Sequence, residues 1–319
     1  MSVSSRTGRP RRRKLPVWQT VKRNYADVVG GIGSIYAMSW PWLIVAVPLA
    51  GLVTYLATTQ QLAAAAGTRW QLGARAPPVD PAIPRLIWSL LTNIGTIALA
   101  FAWQRRVLLR EAPGFFAGTF VQASFWRYLR AGLLLGLVLI LPLGVLALGW
   151  GLVAAYVFEV SRPMDMPSPF AGLMTACFVL GFLTVFAIGF RLVLVLPARA
   201  AGHNGVTFRK IWKRSRGNTW RIVGVNVLCA LPFMVPLMIY GGLAAVLVDA
   251  AKQGQGWLVT SLPWIGAAAA VLGMMLYPLW FCIGYGLMSH IYDHFFRRLP
   301  AASRALAPHP QSQPHFRNA

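Results

Sequence analysis

The sequence predicts an all-α protein, a polytopic transmembrane helical bundle of about six spans. Two observations lead to this prediction: six long apolar stretches, and a concentration of Lys and Arg in the segments on one side of them. The apolar stretches are residues 37–58, 86–103, 131–157, 170–190, 222–248 and 261–289. Only 12% of the 319 residues are charged, which is about half the ordinary share of a soluble domain.

The length of the apolar stretches fits membrane-spanning helices. Crossing ~30 Å of hydrocarbon takes about 20 helical residues, and each stretch meets or approaches that length. The shortest is 86–103. Because the stretches are continuous rather than alternating in polarity, we expect helices and not the strands of a membrane barrel.

The distribution of positive charge predicts the orientation of the bundle. If the N-terminus is cytoplasmic, 25 of the 30 Lys and Arg residues fall in cytoplasmic segments, as the positive-inside rule requires. Both termini are then cytoplasmic. The preference for Arg, with abundant Ala, Gly and Pro, indicates a GC-rich bacterial genome and hence an inner membrane. We therefore assign the net charge of +23 to topology and anionic lipid, and expect no nucleic-acid partner.

The chain divides into three parts. Residues 1–36 are expected to be a basic disordered arm followed by an amphipathic helix at the cytoplasmic interface, in which Trp18, Val21, Tyr25 and Val28 recur at helical spacing. Residues 37–293 form the six-span membrane domain, and 294–319 a disordered cytoplasmic tail. The external links 59–85, 158–169 and 249–260 are too short for a domain. Any functional site should therefore lie in the membrane or at the cytoplasmic face.

The segment 191–221 is the candidate contact with anionic lipid. Phe208, Ile211 and Trp212 form an apolar helical edge, and cations occupy the other positions. These candidate lipid contacts are Arg209, Lys210, Lys213, Arg214 and Arg216. A helix of this kind can lie on anionic headgroups. Two other interpretations stay open: a pure topology anchor, and a site for an acidic cytoplasmic partner.

Two motifs suggest a family. They are Arg191-Leu-Val-Leu-Val-Leu-Pro-Ala-Arg-Ala and Ile211-Trp-Lys-Arg-Ser-Arg-Gly-Asn-Thr-Trp-Arg-Ile, and Ile283-Gly-Tyr-Gly-Leu-Met-Ser-His-Ile-Tyr agrees with them. With these motifs the chain resembles a family of uncharacterised six-pass bacterial integral membrane proteins, similar to the membrane domain fused to some glycerophosphodiester phosphodiesterases. The resemblance spans most of 86–293 and implies a helical membrane domain without an assigned reaction. The phosphodiesterase domain itself is absent, so its activity is not expected here.

Polar residues inside the spans would mark a transport path, and few are present. The candidates are Asn93, Arg191 and Asn226. A faint duplication of the hairpins 86–157 and 170–248 would suit a transporter of small solutes or lipids built from paired hairpins. Because no acid–base relay accompanies these residues, this function is the alternative and not the first choice.

The sequence nominates no catalytic residue, cofactor or metal. His290, Asp293 and His294 have a spacing that metal ligands use, but no convincing further ligand lies nearby in the sequence. Motifs of hydrolases and nucleotide-binding loops are absent from the 319 residues. We therefore predict a non-enzymatic protein of membrane organisation or assembly, with oligomeric state left open.

Overall fold

The computed structural model describes residues 14–65, 82–111, 116–160, 169–252 and 256–296, and within these ranges it contains helices and no strands. The helices are α1 (Val17–Gly30), α2 (Ile32–Ala65), α3 (Ala82–Leu109), α4 (Phe116–Val121), α5 (Ala123–Val160), α6 (Pro169–Leu192), α7 (Val195–Ala200), α8 (Phe208–Ser215), α9 (Thr219–Lys252) and α10 (Gly256–Phe296). Most of the predicted arm and tail, and parts of the three external links, lie outside the described residues.

Six helices are long and apolar enough to cross a membrane: α2, α3, α5, α6, α9 and α10. Each predicted span lies inside one of them, so the prediction of an all-α polytopic bundle is confirmed. The helices run past the predicted ends because hydropathy detects the apolar stretch and not the polar turns that continue it.

The six long helices pack as a core of three with three more around it. α10 lies along both α2 and α3, and α2 also contacts α3. α9 packs against α10 and α6, while α5 packs against α6. On α5, Leu133, Ile140 and Leu148 point away from the bundle and are exposed, as side chains that face hydrocarbon should be.

The short helices gather at one end of the bundle, where α3, α6 and α10 finish and α5 and α9 begin. We call it the basic end. α1 packs on α9 and α10, α7 on α3 and α5, and α8 on α6. The largest cluster of buried apolar side chains, which includes Phe101, Trp103, Ile211 and Ile291, also lies here.

Two features of the basic end go beyond what the sequence predicts. Leu194 and Ala198, which follow Arg191, are fully buried because α7 folds back against α3 and α5. In α1 the predicted helix is present, yet Trp18 is exposed. Its buried face instead runs through Thr20, Val21, Asn24 and Val28, since polar Asn24 has a partner inside the bundle.

Tyrosine hydroxyls support two helices that contain proline. Proline lacks an N–H and its ring displaces the preceding turn of a helix. Tyr25 donates to the carbonyl of Cys229, three residues before Pro232, at 2.9 Å. Tyr36 donates to the carbonyl of Met275, three residues before Pro278, also at 2.9 Å. Neighbouring helices thus supply polar partners at the disturbed turns.

Candidate functional site

The basic helix α8 has a defined beginning, a defined end and one buried side. The Thr207 hydroxyl caps it by accepting a hydrogen bond from the Lys210 N–H at 3.4 Å. Gly217, with φ of 83°, turns the chain toward α9. Ile211 and Ser215, one turn apart, are buried against the bundle. The orientation of α8 on the bundle is therefore fixed, and so is the direction that its opposite side faces.

Four of the five predicted cations lie in α8, and Arg216 is the residue that caps its end. All five are exposed: Arg209, Lys210, Lys213, Arg214 and Arg216. Lys210 donates to the carbonyl of Gly205 at 2.7 Å. Arg214 lies 4.8 Å from the centre of the Phe296 ring. Among the described residues, no carboxylate forms an ion pair with any of the five. The charge of this surface is thus uncompensated by the part of the chain that the structure describes.

Arg191 attaches α8 to the end of α6. Its Nε donates to the Ser215 hydroxyl at 3.0 Å, and its Nη2 donates to the Trp212 carbonyl at 2.7 Å. The guanidinium also lies 3.6 Å from the centre of the Trp212 ring, which is a close cation–π contact. Only 6% of Arg191 is exposed. From the sequence, Arg191 was predicted to be a polar residue inside a span. In the structure its side chain attaches α8 to the end of α6.

The residues before α1 are attached beside α8, which the sequence did not reveal. The Leu15 N–H donates to Oδ1 of Asn218 at 3.1 Å, and Nη1 of Arg221 donates to the Leu15 carbonyl at 3.0 Å. Leu15 is fully buried and Asn218 nearly so. The start of the described chain is therefore held at the turn between α8 and α9.

Asn93 and Asn226 do not join Arg191 in a common site. Asn93 is exposed on α3, and its amide donates to the Ser89 carbonyl at 2.7 Å. The Asn226 amide donates to the Ile222 carbonyl, again at 2.7 Å. Both amides thus bond one turn back in their own helix, so the three predicted polar residues do not converge.

A buried polar cluster joins α1, α3 and α10 at the basic end. The Asn24 amide donates to the Ile283 carbonyl at 2.9 Å. Nε2 of His290 lies 3.1 Å from Oδ2 of Asp27. Fully buried Gln104 shows no hydrogen bond for either end of its amide. Sequence patterns missed the cluster because its members come from distant segments and make no motif.

The trio His290, Asp293 and His294 forms no metal site in the described ranges, where no three His, Cys, Asp or Glu side chains are grouped closely enough to hold an ion. His290 instead faces Asp27 of α1.

Comparison of the chain with protein-family models, with curated proteins and with solved structures gave no match.

Proposed function

We propose that this protein is a non-enzymatic component of a bacterial inner membrane that organises or assembles membrane constituents by holding anionic lipid headgroups on its basic helix. One observation carries the proposal. α8 is fixed to the bundle by Arg191, Ile211 and Ser215, while the five cations are exposed and have no carboxylate partner among the described residues.

A fixed helix differs physically from a basic loop. A loop that only sets topology needs positive charge but no particular arrangement of it. On α8 the cations are held on one surface, so they lose less conformational freedom when they meet a headgroup. Each cation near an anionic surface contributes about 1 kcal/mol. This favours lipid contact over the pure topology anchor.

The orientation is part of the proposal. The basic end collects α1, α4, α7 and α8, and with them most of the Lys and Arg residues of the chain. By the positive-inside rule we propose that this end, and with it both termini, faces the cytoplasm. On the motifs at 191–200 and 211–222 we also propose membership in the six-pass family that the chain resembles.

The experiment is a lipid titration of the purified protein, read by native mass spectrometry in a neutral detergent. The variant replaces Arg209, Lys213 and Arg216 with Gln, because these three cations have no hydrogen bond or ion pair among the described residues. The matched control replaces Lys22, Arg127 and Arg130, which are also exposed at the basic end, and so loses the same charge.

We expect the α8 variant to bind phosphatidylglycerol up to roughly 100-fold more weakly than the unmodified protein. The control variant should lose much less of its affinity for phosphatidylglycerol. Phosphatidylcholine should bind equally to the unmodified protein and to both variants. Equal retention of phosphatidylglycerol by the α8 variant and the unmodified protein would refute the proposal. An equal loss in the control would refute a specific role for α8.

A further inference from the structure

A cavity of about 210 Å³ opens between the end of α1 and the last turns of α3. It is separate from the surface of α8. The residues that line it include Trp103, Gly30, Gly31, Asp27, Arg106 and Arg110. The volume far exceeds the ~10–15 Å³ that a single water needs.

The two cavity arginines are available to a ligand, whereas their neighbour is not. Arg105 forms an ion pair with Glu111 and donates to the Ala200 carbonyl at 3.1 Å. The guanidinium groups of Arg106 and Arg110 make no hydrogen bond or ion pair with any residue that the structure describes. The planar guanidinium suits the paired oxygens of a phosphate better than an ammonium does.

The carboxylate in the cavity does not cancel this charge. Oδ2 of Asp27 lies 3.1 Å from Nε2 of His290 on α10. The cavity wall includes two arginines, Arg106 and Arg110, against the single carboxylate of Asp27, and Arg23 adds a further exposed cation one turn earlier in α1. The cavity keeps an excess of positive charge.

The backbone at Arg110 is a second sign of a specialised position. Arg110 has φ of 58°, in the left-handed region that glycine favours after a helix. Its N–H still donates to the Arg106 carbonyl at 3.0 Å, which closes the last turn of α3. An arginine at a position where glycine would be relaxed is a feature typical of functional sites.

We propose that this cavity binds the phosphate group of a small anion, with Arg106 and Arg110 as its ligands. The phosphate can belong to a lipid headgroup or to a soluble phosphate, since both present the same oxygens. Gly30 forms part of the wall, and a Cβ at this position would meet no atom within 4 Å. A side chain placed there projects into open space without disturbing the packing.

The test is calorimetric titration of the full-length protein in a neutral detergent. The probes are inorganic phosphate, dioctanoyl phosphatidic acid and, as the zwitterionic reference, dioctanoyl phosphatidylcholine. Arg110→Gly relaxes the backbone, so this variant should fold at least as well as the unmodified protein while it loses one ligand. Gly30→Leu adds an apolar side chain at the wall of the cavity and keeps both arginines. Arg209→Gln/Lys213→Gln removes charge from α8 alone.

We expect saturable binding of one or both phosphate probes, weakened about tenfold or more by Arg110→Gly, the loss typical of one charge-assisted hydrogen bond. Gly30→Leu should weaken it as well. The α8 variant should leave the binding of inorganic phosphate unchanged. Binding of phosphatidic acid alone identifies a lipid headgroup as the source, and binding of inorganic phosphate identifies a soluble ligand. Absence of saturable binding by both probes, or unchanged binding in Arg110→Gly, overturns the proposal. The phosphatidylglycerol titration of the α8 variant tests the role of α8 separately.

Discussion

The guanidinium of Arg191 lies 3.6 Å from the centre of the Trp212 ring and donates a 2.7 Å hydrogen bond to the carbonyl of the same residue. This contact joins the last turn of α6 to α8. A helix of eight residues is too short to be stable on its own in water. Docking by Arg191 therefore decides whether the cations of α8 form a fixed surface.

Replacement of Arg191 by Gln should release α8. Two charge-assisted hydrogen bonds are lost, each worth about 1.5 kcal/mol or more. The free energy needed to detach and unfold α8 should therefore fall by about 3 kcal/mol. Amide hydrogen exchange in residues 208–215, followed by mass spectrometry in lipid nanodiscs, should become on the order of 100-fold faster. Arg209→Gln is the control, because exposed Arg209 does not touch the bundle. Unchanged exchange in the Arg191 variant would show that the anchor is unimportant.

Gly286 should tolerate no side chain. A Cβ there would lie 2.6 Å from Oδ1 of Asn24 and 2.8 Å from Nε1 of Trp103, both in the buried polar cluster. Gly286→Ala should therefore lower the free energy of unfolding by about 1–3 kcal/mol, seen as a lower Tm in detergent. Gly284→Ala, two residues away, meets nothing within 4 Å and should be neutral or slightly stabilising. Similar Tm values for the two variants would argue against this packing.

The number and order of the six long helices could be predicted from the sequence because hydrocarbon imposes both a length and an apolar composition. The cations of α8 were also predictable, since their helical spacing leaves them on one side of Ile211. The anchor could not be predicted. Arg191 reads as the end of a span, and only the fold brings it to the Trp212 carbonyl.

The burial of α7 and of Asn24 shows where hydropathy fails. The apolar residues 194–196 follow the end of a span, and hydropathy does not reveal that the contacts of α7 with α3 and α5 bury them. Asn24 is fully buried because it bonds the Ile283 carbonyl, 259 residues away.

The duplication of the two hairpins stays a prediction. In the duplication, Thr119-Phe120 of the first hairpin would correspond to Thr207-Phe208 of the second. Thr119 lies inside α4 whereas Thr207 caps α8, so these two positions have different structural roles.

Asn218 should control the attachment of the N-terminal segment. Asn218→Ala removes the acceptor of the Leu15 N–H, and a buried N–H without a partner costs about 1–3 kcal/mol. Limited proteolysis should then cut more readily before α1. Asn226→Ala removes an amide that bonds only its own helix, so it should leave the cleavage rate nearly unchanged. Equal cleavage of both variants would contradict this role.

The docking of α1 should weaken at alkaline pH. Burial, with a smaller effect of the nearby Cys229, raises the pKa of Tyr25 above its usual value of about 10. The protonated phenol is thus favoured in the folded state. Its stabilising contribution is fully present below about pH 10 and is lost as the pH rises through the raised pKa.

The measurement for Tyr25 is the difference in Tm between the unmodified protein and Tyr25→Phe. This difference should be constant at neutral pH and should vanish at strongly alkaline pH. Subtraction of the two proteins removes the titration of the other tyrosines. A difference that is the same on both sides of pH ~10 would show that the Tyr25 hydroxyl does not contribute to docking.

The most direct test of the central claim is photo-crosslinking of lipid beside α8 in vesicles that mix phosphatidylglycerol and phosphatidylcholine. Trp220→benzoylphenylalanine places the probe on an exposed aromatic position next to α8 and keeps all five cations, and Trp264→benzoylphenylalanine serves as the control at the opposite end of the bundle. We predict that the Trp220 probe crosslinks phosphatidylglycerol preferentially and that the preference disappears when Arg209, Lys213 and Arg216 are replaced by Gln. Crosslinking of the two lipids in proportion to their abundance, with and without these cations, would contradict the account.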